Sequence, residues 1–329
     1  MAFSRQLMRL GGLLALGAAA QAAYTIQDSY DNTNFFDGFE FFDLPDPTNG
    51  FVKYLGATEA NALGLAGYAN GGVYMGVDYN TTNPTGGRSS VRVNSKKTYN
   101  EALIIADIAH QPAAVCGSWP AFWTVGQNWP YNGEIDIIEG VNLATNTTYT
   151  LHTGPSCTFS QGDCNAPGTG NLGCGISSGD DQTLADGFNQ IGGGIFALEW
   201  TSSAINIFFF PRTGDIPQDI AAGQPDPSTW GSPQTSFSGS GCDIPSHFKD
   251  HQIVFDTTFC GDWAGQVFSS DPVCGAKAAT CQDYVSNNPS DFKDSYWLIN
   301  SVKVYSDSAA NGTTKRDASS AFRPRKFIA

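Results

Sequence analysis

The sequence predicts an all-β protein, built as an antiparallel β-sandwich or jelly roll. Three observations predict this class. Several short stretches alternate apolar and polar residues with period two, and no long helical periodicity is present. Aromatic and turn-forming residues are abundant, with 22 Phe, 12 Tyr, 7 Trp and 37 Gly among 329 residues. Such a composition suits short strands joined by many turns, in a chain long enough to bury a complete core.

The strand predictions follow from the alternation of apolar and polar side chains. In 90–94, Val91 and Val93 face one way, whereas Arg92 and Asn94 face the other. Two apolar runs on either side of the polar turn 201–203 predict a hairpin. The Gly-rich segment 171–194 predicts a loop. The predicted strands are 90–94, 148–152, 195–200, 204–210, 252–257 and 296–305.

The first 22 residues predict a secretory signal peptide. Arg5 and Arg9 precede an apolar run at 10–20, and Ala20-Gln21-Ala22 has the small-x-small pattern of a cleavage site. The apolar run has about 11 residues, whereas a membrane-spanning helix needs about 20. We therefore predict a secreted, extracellular protein.

Residues 23–306 are predicted to form one domain, because they contain no Pro/Ser/Thr-rich linker and no internal repeat. The segment 307–329 has basic residues among small and polar ones, with little to bury, and is predicted to be a disordered tail. It also lacks the closing apolar run of a lipid-anchor signal. We expect the protein to be a monomer.

Charge and cysteine content exclude several classes of partner and cofactor. The formal net charge of −14 argues against nucleic acid and anionic membranes as partners. Eight cysteines in a secreted chain predict up to four disulfides, with 105 possible pairings. No pair of CxxC motifs is present, which argues against a zinc site. We predict no cofactor and no metal among the site residues. Asn80, Asn146 and Asn311 begin N-glycosylation sequons.

The most informative segment is 133–140, which contains Glu134, Asp136 and Glu139. Glu134 and Asp136 are two residues apart, so they share one face of a strand. Strict alternation would turn Glu139 into the core, where a charged side chain is costly. A β-bulge near Ile137 and Ile138 would return Glu139 to the acidic face. Three carboxylates would then line one face while the isoleucines pack into the core.

Paired carboxylates on one face suit the hydrolysis of a glycosidic bond with retention. That reaction needs a nucleophile and an acid/base about 5–5.5 Å apart. Crowded carboxylates also raise the pKa of one member, which keeps a proton on the acid. Taken alone, the same spacing of acids is also compatible with an ordinary exposed polar face or with a calcium site.

Candidate substrate-binding residues surround this motif in the sequence. Three tryptophans precede the acids, namely Trp119, Trp123 and Trp129, and Trp263 lies in a segment rich in glycine and aromatic residues. Of these four, we predict that Trp123, Trp129 and Trp263 bind substrate. Indole rings stack on the apolar faces of sugars, although a single tryptophan is more often a core residue. Arg92 and His152 lie on the polar faces of their predicted strands. By contrast, Trp200 and Trp297 lie within strand-like runs and are predicted to be buried.

Several motifs resemble those of fungal laminarinases of glycoside hydrolase family 16. The resemblance covers roughly residues 24–306, and its motifs are specific when taken together. The matching segments are 90–92 (SVR), 117–123 (GSWPAFW), 128–130 (NWP), 133–142 (GEIDIIEGVN), 151–153 (LHT), 210–212 (FPR), 242–244 (CDI), 246–248 (SHF), 259–266 (FCGDWAGQ) and 283–285 (DYV).

The resemblance implies a β-jelly-roll with a concave cleft and endo-1,3(4)-β-glucanase activity on laminarin-like and mixed-linked β-glucans. It implies that Glu134 is the nucleophile, Asp136 its assistant and Glu139 the acid/base. Two alternative functions occur on the same fold. A transglycosylase passes the glycosyl-enzyme to a sugar instead of water. A non-catalytic β-glucan-binding protein on the same fold lacks one or both glutamates, whereas this chain has both.

Overall fold

A computed structural model describes residues 24–307. The predicted signal peptide, the Asn311 sequon and the predicted tail after Asp307 lie outside the described residues. The strands are β1 (Tyr24–Asp31), β2 (Phe39–Phe41), β3 (Val52–Tyr54), β4 (Ala66–Ala69), β5 (Gly72–Gly76), β6 (Arg88–Ser90), β7 (Arg92–Ser95), β8 (Ala102–His110), β9 (Ser118–Gly126), β10 (Glu134–Glu139), β11 (Thr148–His152), β12 (Thr158–Phe159), β13 (Gly162–Asp163), β14 (Cys174–Ser177), β15 (Gly194–Trp200), β16 (Ala204–Pro211), β17 (Thr235–Ser238), β18 (His251–Phe259) and β19 (Tyr296–Asp307).

Helices in this part of the chain are short, the longest having seven residues. The α-helices are α1 (Phe35–Gly38), α2 (Ala57–Ala62), α3 (Ala166–Thr169), α4 (Ala185–Gln190), α5 (Gln218–Ala222), α6 (Ile244–His247), α7 (Gln266–Phe268), α8 (Cys274–Lys277) and α9 (Cys281–Asn287). Two 3₁₀ turns (Pro227–Thr229 and Pro289–Phe292) and one π-helical turn (Gly261–Gly265) complete the set. Across 24–307, no helix has both the length and the apolar character needed to span a membrane.

Two large antiparallel sheets form the body of the molecule. The eight-stranded sheet has the order β17-β16-β15-β8-β19-β5-β4, and β1 pairs with β19. The seven-stranded sheet has the order β14-β11-β10-β9-β18-β7-β2. Two small two-stranded sheets, β12-β13 and the parallel pair β3-β6, lie outside them. The strand content and antiparallel pairing confirm the predicted all-β class.

The main core contains buried apolar side chains from both large sheets. Phe122, Ile135 and Ile138 come from the seven-stranded sheet, and Trp200 and Trp297 come from the eight-stranded sheet. Each of these residues is at most 1% exposed, so the predicted burial of the two tryptophans is confirmed. Because one face of each sheet is buried in this core, the other face of each is available for other contacts.

Most of the strand predictions are confirmed, including the hairpin, which β15 and β16 form. Two predictions are wrong in detail. The segment 90–94 is divided at Val91, because β6 pairs with β3 whereas β7 pairs with β18 and β2. The segment predicted as a loop at 171–194 contains β14 and α4, since β14 adds an edge strand beside β11.

All eight cysteines are paired, as predicted. The bonds are Cys116–Cys274, Cys157–Cys242, Cys164–Cys174 and Cys260–Cys281. Two of them fix the segment between β18 and β19, which contains α7, α8 and α9. Such cross-links stabilise a fold mainly by restricting the unfolded chain.

Candidate active site

A β-bulge in β10 brings three acidic side chains to the face of the seven-stranded sheet that points away from the core. In the pairing with β9, Asp136 is opposite Trp123 and Ile138 is opposite Phe122, so Ile137 is the extra residue. Ile135, Ile137 and Ile138 are fully buried in the core. Glu134, Asp136 and Glu139 therefore share the opposite face, and the predicted bulge is confirmed.

His152 on β11 lies directly opposite Glu134. Its Nε2 atom is 3.8 Å from Oε1 of Glu134 and 3.5 Å from Oδ2 of Asp136. Asp136 is only 2% exposed, and its Oδ2 atom has no hydrogen-bond partner. The same is true of Nδ1 of His152, which is buried. These polar groups are therefore held close together with part of their hydrogen-bonding capacity unused.

Glu139, at the other end of the strand, has a different set of contacts. Nε1 of Trp119 donates a hydrogen bond to its Oε1 atom at 2.9 Å, and its backbone N–H donates to Oγ1 of Thr147 at 2.7 Å. The Trp119 ring in turn meets Trp263 edge to face, with 5.7 Å between the ring centroids. Trp263 lies on the π-helical turn that follows Cys260. The two glutamates thus have distinct environments on one strand.

Burial and crowding raise the pKa of every acid on β10. Burial raises the pKa of Glu134 to about 8, with further increases from Asp136 and Glu139, whereas His152 and Trp129 lower it. Burial and then Asp136 raise the pKa of Glu139 to about 8, and the Trp119 hydrogen bond lowers it. The pKa of Asp136 is raised by burial and by the charge of Asp256. A proton is therefore retained among these groups near neutral pH.

Asp256 on β18 organises the neighbouring part of the same face. One carboxylate oxygen accepts a hydrogen bond from Nε1 of Trp123 at 2.9 Å, and the other accepts one from the Tyr54 hydroxyl at 2.8 Å. Arg92 is opposite Asp256 in the β18–β7 pairing. The Arg92 guanidinium lies 4.4 Å from the centre of the Phe42 ring and 5.0 Å from that of Trp123. Such cation–π contacts help to fix the indole plane.

The structure places the predicted site residues at three positions around the acids. Arg92 and Trp123 lie beside Asp256, and His152 and Trp129 lie beside Glu134. Trp263 is at the Glu139 end through its contact with Trp119. Each of the three predicted tryptophans is partly exposed, as a residue that contacts a substrate must be.

Sequence reasoning missed two residues of the site, Asp256 and Tyr54. Trp119 was among the tryptophans noted before the acids but was not predicted to bind substrate, although it lies four residues from Trp123 in β9 and therefore shares its face. Asp256 is the one acid in a strand of β-branched, aromatic and amide residues, and a lone buried carboxylate of this kind indicates a polar network. Tyr54 gave no comparable signal, because its contact with Asp256 joins segments 202 residues apart.

Comparison with known families identifies the chain. A family model described as "XgeA-like, catalytic GH16 domain" matches residues 39–305. The chain belongs to glycoside hydrolase family 16. It is 45% identical over 320 residues to an endo-1,3(4)-β-glucanase of Arthroderma benhamiae, covering 92% of this chain and 70% of that protein. It spans only about half the length of several Aspergillus relatives named probable endo-1,3(4)-β-glucanases.

Solved structures of two family 16 enzymes are similar to this chain over most of its length. One is laminarinase 16A of Phanerochaete chrysosporium with β-glucans in its donor and acceptor sites, at 38% identity and a TM-score of 0.82. The match covers 86% of this chain and 99% of that one. The other is an elongating β-1,3-glucosyltransferase, at 42% identity and a TM-score of 0.79, covering 86% and 100%.

These comparisons confirm the predicted family, the jelly-roll fold class and the assignment as a glycoside hydrolase. They also support hydrolysis of β-glucan as the activity of this family 16 enzyme. The individual roles of Glu134, Asp136 and Glu139, and the substrate contacts of the surrounding residues, stay predictions.

Proposed function

We propose that this family 16 enzyme is a retaining endo-1,3(4)-β-glucanase in which Glu134 is the nucleophile and Glu139 the acid/base. The observation that carries the proposal is the bulge at Ile137, which turns two glutamates of one strand toward the same polar face. Their charges are close enough for Glu139 to raise the pKa of Glu134. Two close carboxylates on one face are what a double displacement requires.

The environments of the two glutamates support this division of roles. Trp119 donates to Oε1 of Glu139, which leaves Oε2 to carry the proton that the leaving group needs. Burial and Asp136 raise the pKa of Glu139 to about 8, so this proton is retained at acidic and neutral pH. Burial raises the pKa of Glu134 to about 8 as well, so the two pKa values alone do not divide the roles. His152 lies beside Glu134 and lowers its pKa, which favours the ionised, nucleophilic form. Asp136 lies between them and tunes both.

The proposed substrate is β-1,3-linked glucan of the laminarin type, with mixed-linked glucan as a second substrate. The names of the relatives and the glucans bound to the laminarinase support this choice. The partly exposed Trp123, Trp129 and Trp263 offer indole faces for sugar rings, and Arg92 and His152 offer hydrogen-bond donors. Four disulfides support the proposal that the enzyme is secreted and extracellular. We propose that it acts as a monomer, with β-glucan as its partner.

A second candidate function is elongation of glucan by transglycosylation. The similarity to an elongating β-1,3-glucosyltransferase favours it, and both reactions share the first half-reaction. Chromatography of the products from laminarin distinguishes the two, because hydrolysis shortens the chains whereas transfer also produces chains longer than the substrate.

Azide rescue tests the assignment of the two glutamates. Glu139→Ala lacks the proton donor, but an aryl glycoside with a good leaving group needs little protonation. This variant should therefore form the glycosyl-enzyme and then stall, because water also lacks its base. Azide needs no base, so it should restore turnover and give the β-glycosyl azide, which NMR identifies.

Glu134→Ala provides the matched comparison, because no glycosyl-enzyme forms without the nucleophile. Azide can then attack only the substrate itself, which gives the α-anomer. If the anomers were exchanged between the two variants, the assigned roles would be reversed. Wild-type turnover of laminarin by either variant would place the catalytic site elsewhere.

A further inference from the structure

We propose that Glu134, Asp136 and His152 form a binding site for one divalent transition-metal ion of the zinc type. The bound ion would compete with β-glucan and so inhibit the enzyme. The inhibition rests on the proposed function, whereas the binding itself does not. The ion is an inhibitor and not a cofactor, so the site departs from the prediction of no metal but agrees with the prediction of no cofactor.

The distances between the potential ligand atoms suit a tetrahedral ion. Zinc binds imidazole nitrogen and carboxylate oxygen at about 2.0–2.2 Å, which places adjacent ligand atoms roughly 3.3–3.6 Å apart. Nε2 of His152 lies 3.5 Å from Oδ2 of Asp136 and 3.8 Å from Oε1 of Glu134. The three ligand atoms all lie within 4.8 Å of one another. A small movement of the Glu134 carboxylate toward His152 would give the ion three of its four tetrahedral ligands and leave the fourth position free.

Unused hydrogen-bonding capacity is a second, independent observation. Asp136 is 2% exposed, and its Oδ2 atom, which faces His152, has no hydrogen-bond partner. A buried carboxylate without a partner is costly, and a cation bound to it would remove that cost. Nδ1 of His152 also has no partner to orient the ring for metal binding. Because such support strengthens metal binding, its absence predicts a reversible site of modest affinity.

The fold holds the ligands in place before the ion arrives. All three residues lie on adjacent strands, and Glu134 and His152 are directly opposite each other in register. Ligands on strands are positioned more accurately than ligands on loops. One imidazole and two carboxylates suit zinc, copper or manganese, whereas calcium takes six to eight oxygen ligands. A Glu134 carboxylate bound to a cation could not attack the anomeric carbon, which accounts for the inhibition.

A second group of possible ligands in 24–307 provides a control. His247 lies near Cys157 and Cys242, but these two sulfur atoms are joined in a disulfide and cannot act as thiolates. His247 also contacts the backbone carbonyl of Pro155. Replacing His247 therefore removes a partly exposed imidazole without changing the proposed site.

Isothermal titration calorimetry of Zn²⁺ into the full chain tests the proposal. We expect one ion per molecule for the wild type, unchanged binding for His247→Ala, and an affinity at least about tenfold lower for His152→Ala. Asp136→Asn, which keeps the side-chain size, should weaken binding in the same way and decides the question if His152→Ala does not fold. A laminarin oligosaccharide should raise the apparent dissociation constant of Zn²⁺.

Two results would overturn the proposal: no zinc binding by the wild type, or equal binding by the wild type and both site variants. A zinc affinity that the oligosaccharide leaves unchanged, although the oligosaccharide binds, would also contradict it, since the ion would then lie outside the cleft. Calorimetry needs no turnover, so its outcome is separate from the proposed function. A protein that binds zinc through these residues but does not cleave β-glucan would support the metal site and refute the glucanase.

Discussion

Acidic residues on the outward face of the eight-stranded sheet differ in their hydrogen-bond partners from Asp136 in β10 of the seven-stranded sheet. On the eight-stranded sheet, Glu199 accepts hydrogen bonds from the Tyr24 hydroxyl at 3.1 Å and from Asn206 at 2.8 Å. Asp107 on the same sheet is bound by Arg212 and by Asn300. On the seven-stranded sheet, Asp136 has no hydrogen-bond partner on Oδ2, although it is more deeply buried.

This difference separates acids that support the fold from acids that are available for chemistry. A paired carboxylate gains the free energy of its hydrogen bonds and ion pair when the chain folds. A buried carboxylate that is crowded by other acids makes the folded state less stable once it is ionised, which appears as a raised pKa. In the seven-stranded sheet this loss of stability falls on β10, where the crowded acids retain a proton. Such a trade of stability for function is common at active sites.

The strongest test of the comparison replaces one acid on each sheet by its amide. Glu139→Gln removes the proposed acid/base, so activity on laminarin should fall by about 10²- to 10⁴-fold. The same change should raise the melting temperature at pH 8 by roughly 2 °C or more. Asp107→Asn should leave activity intact and lower the melting temperature, because Arg212 loses its charged partner. Activity assays and calorimetric melting measure both.

The pH dependence of this effect has a defined sign. The pKa of Glu139 is raised from 4.5 to about 8 on folding, mainly by burial. Protonated Glu139 therefore favours the folded state fully below about pH 4.5, and this contribution is lost as the pH rises toward 8. Glu139→Gln should thus melt like the wild type near pH 4 and at a higher temperature near pH 8. A lower melting temperature at pH 8 would contradict the comparison.

An intermediate effect is expected from Asp256, which lies on the same face of the seven-stranded sheet as the acids of β10 yet is fully hydrogen-bonded. Asp256→Asn can present an acceptor to only one of Trp123 and Tyr54 through its single oxygen. We expect kcat/KM on laminarin to fall by about 10- to 100-fold through misplacement of the substrate. Besides burial and Asp136, the charge of Asp256 raises the pKa of Glu139, so the alkaline limb of the activity profile should move to lower pH.

Tyr54→Phe is the matched control for Asp256. It removes one hydrogen bond to the carboxylate but keeps the charge and the contact with Trp123. Its pH profile should therefore match that of the wild type. An unchanged profile in Asp256→Asn as well would make Asp256 a purely structural residue.

The sequence was sufficient for predictions that depend on local rules. The position of the bulge followed from the alternation of side chains along β10. Strict alternation would turn Glu139 into the core with the isoleucines, where a charged side chain is too costly. The burial of Trp200 and Trp297 followed from their place in apolar runs. These inferences need only the period of the strand and the cost of burying charge.

Predictions that depend on strand order could not be made from local rules. Trp123 and Asp256 are 133 residues apart, and their hydrogen bond exists only because β9 and β18 are neighbours in the sheet. The edge strand β14 lies in a Gly-rich segment whose composition indicates a loop, and pairing with β11 overrides that preference. The division at Val91 likewise follows from two different pairing partners.

The smallest expected effect distinguishes two tryptophans, one on each side of the sandwich. Trp263 is partly exposed beside Trp119 near Glu139. Trp230 donates to Asp219 and meets Phe208 and Phe210 edge to face, over the outward apolar cluster of the eight-stranded sheet. The first is therefore predicted to act on substrate and the second on stability.

Trp263→Ala should weaken the binding of a laminarin oligosaccharide by about 2- to 13-fold, since a ring contact contributes about 0.5–1.5 kcal/mol. Its melting temperature should change little. Trp230→Ala should leave oligosaccharide affinity unchanged and lower the melting temperature, because the apolar cluster beneath it becomes exposed. Calorimetry gives the oligosaccharide affinity of each variant, and thermal melting gives the melting temperature of each. Loss of stability in Trp263→Ala with unchanged affinity would make Trp263 a core residue, and the proposed substrate-binding face would then end at Trp119.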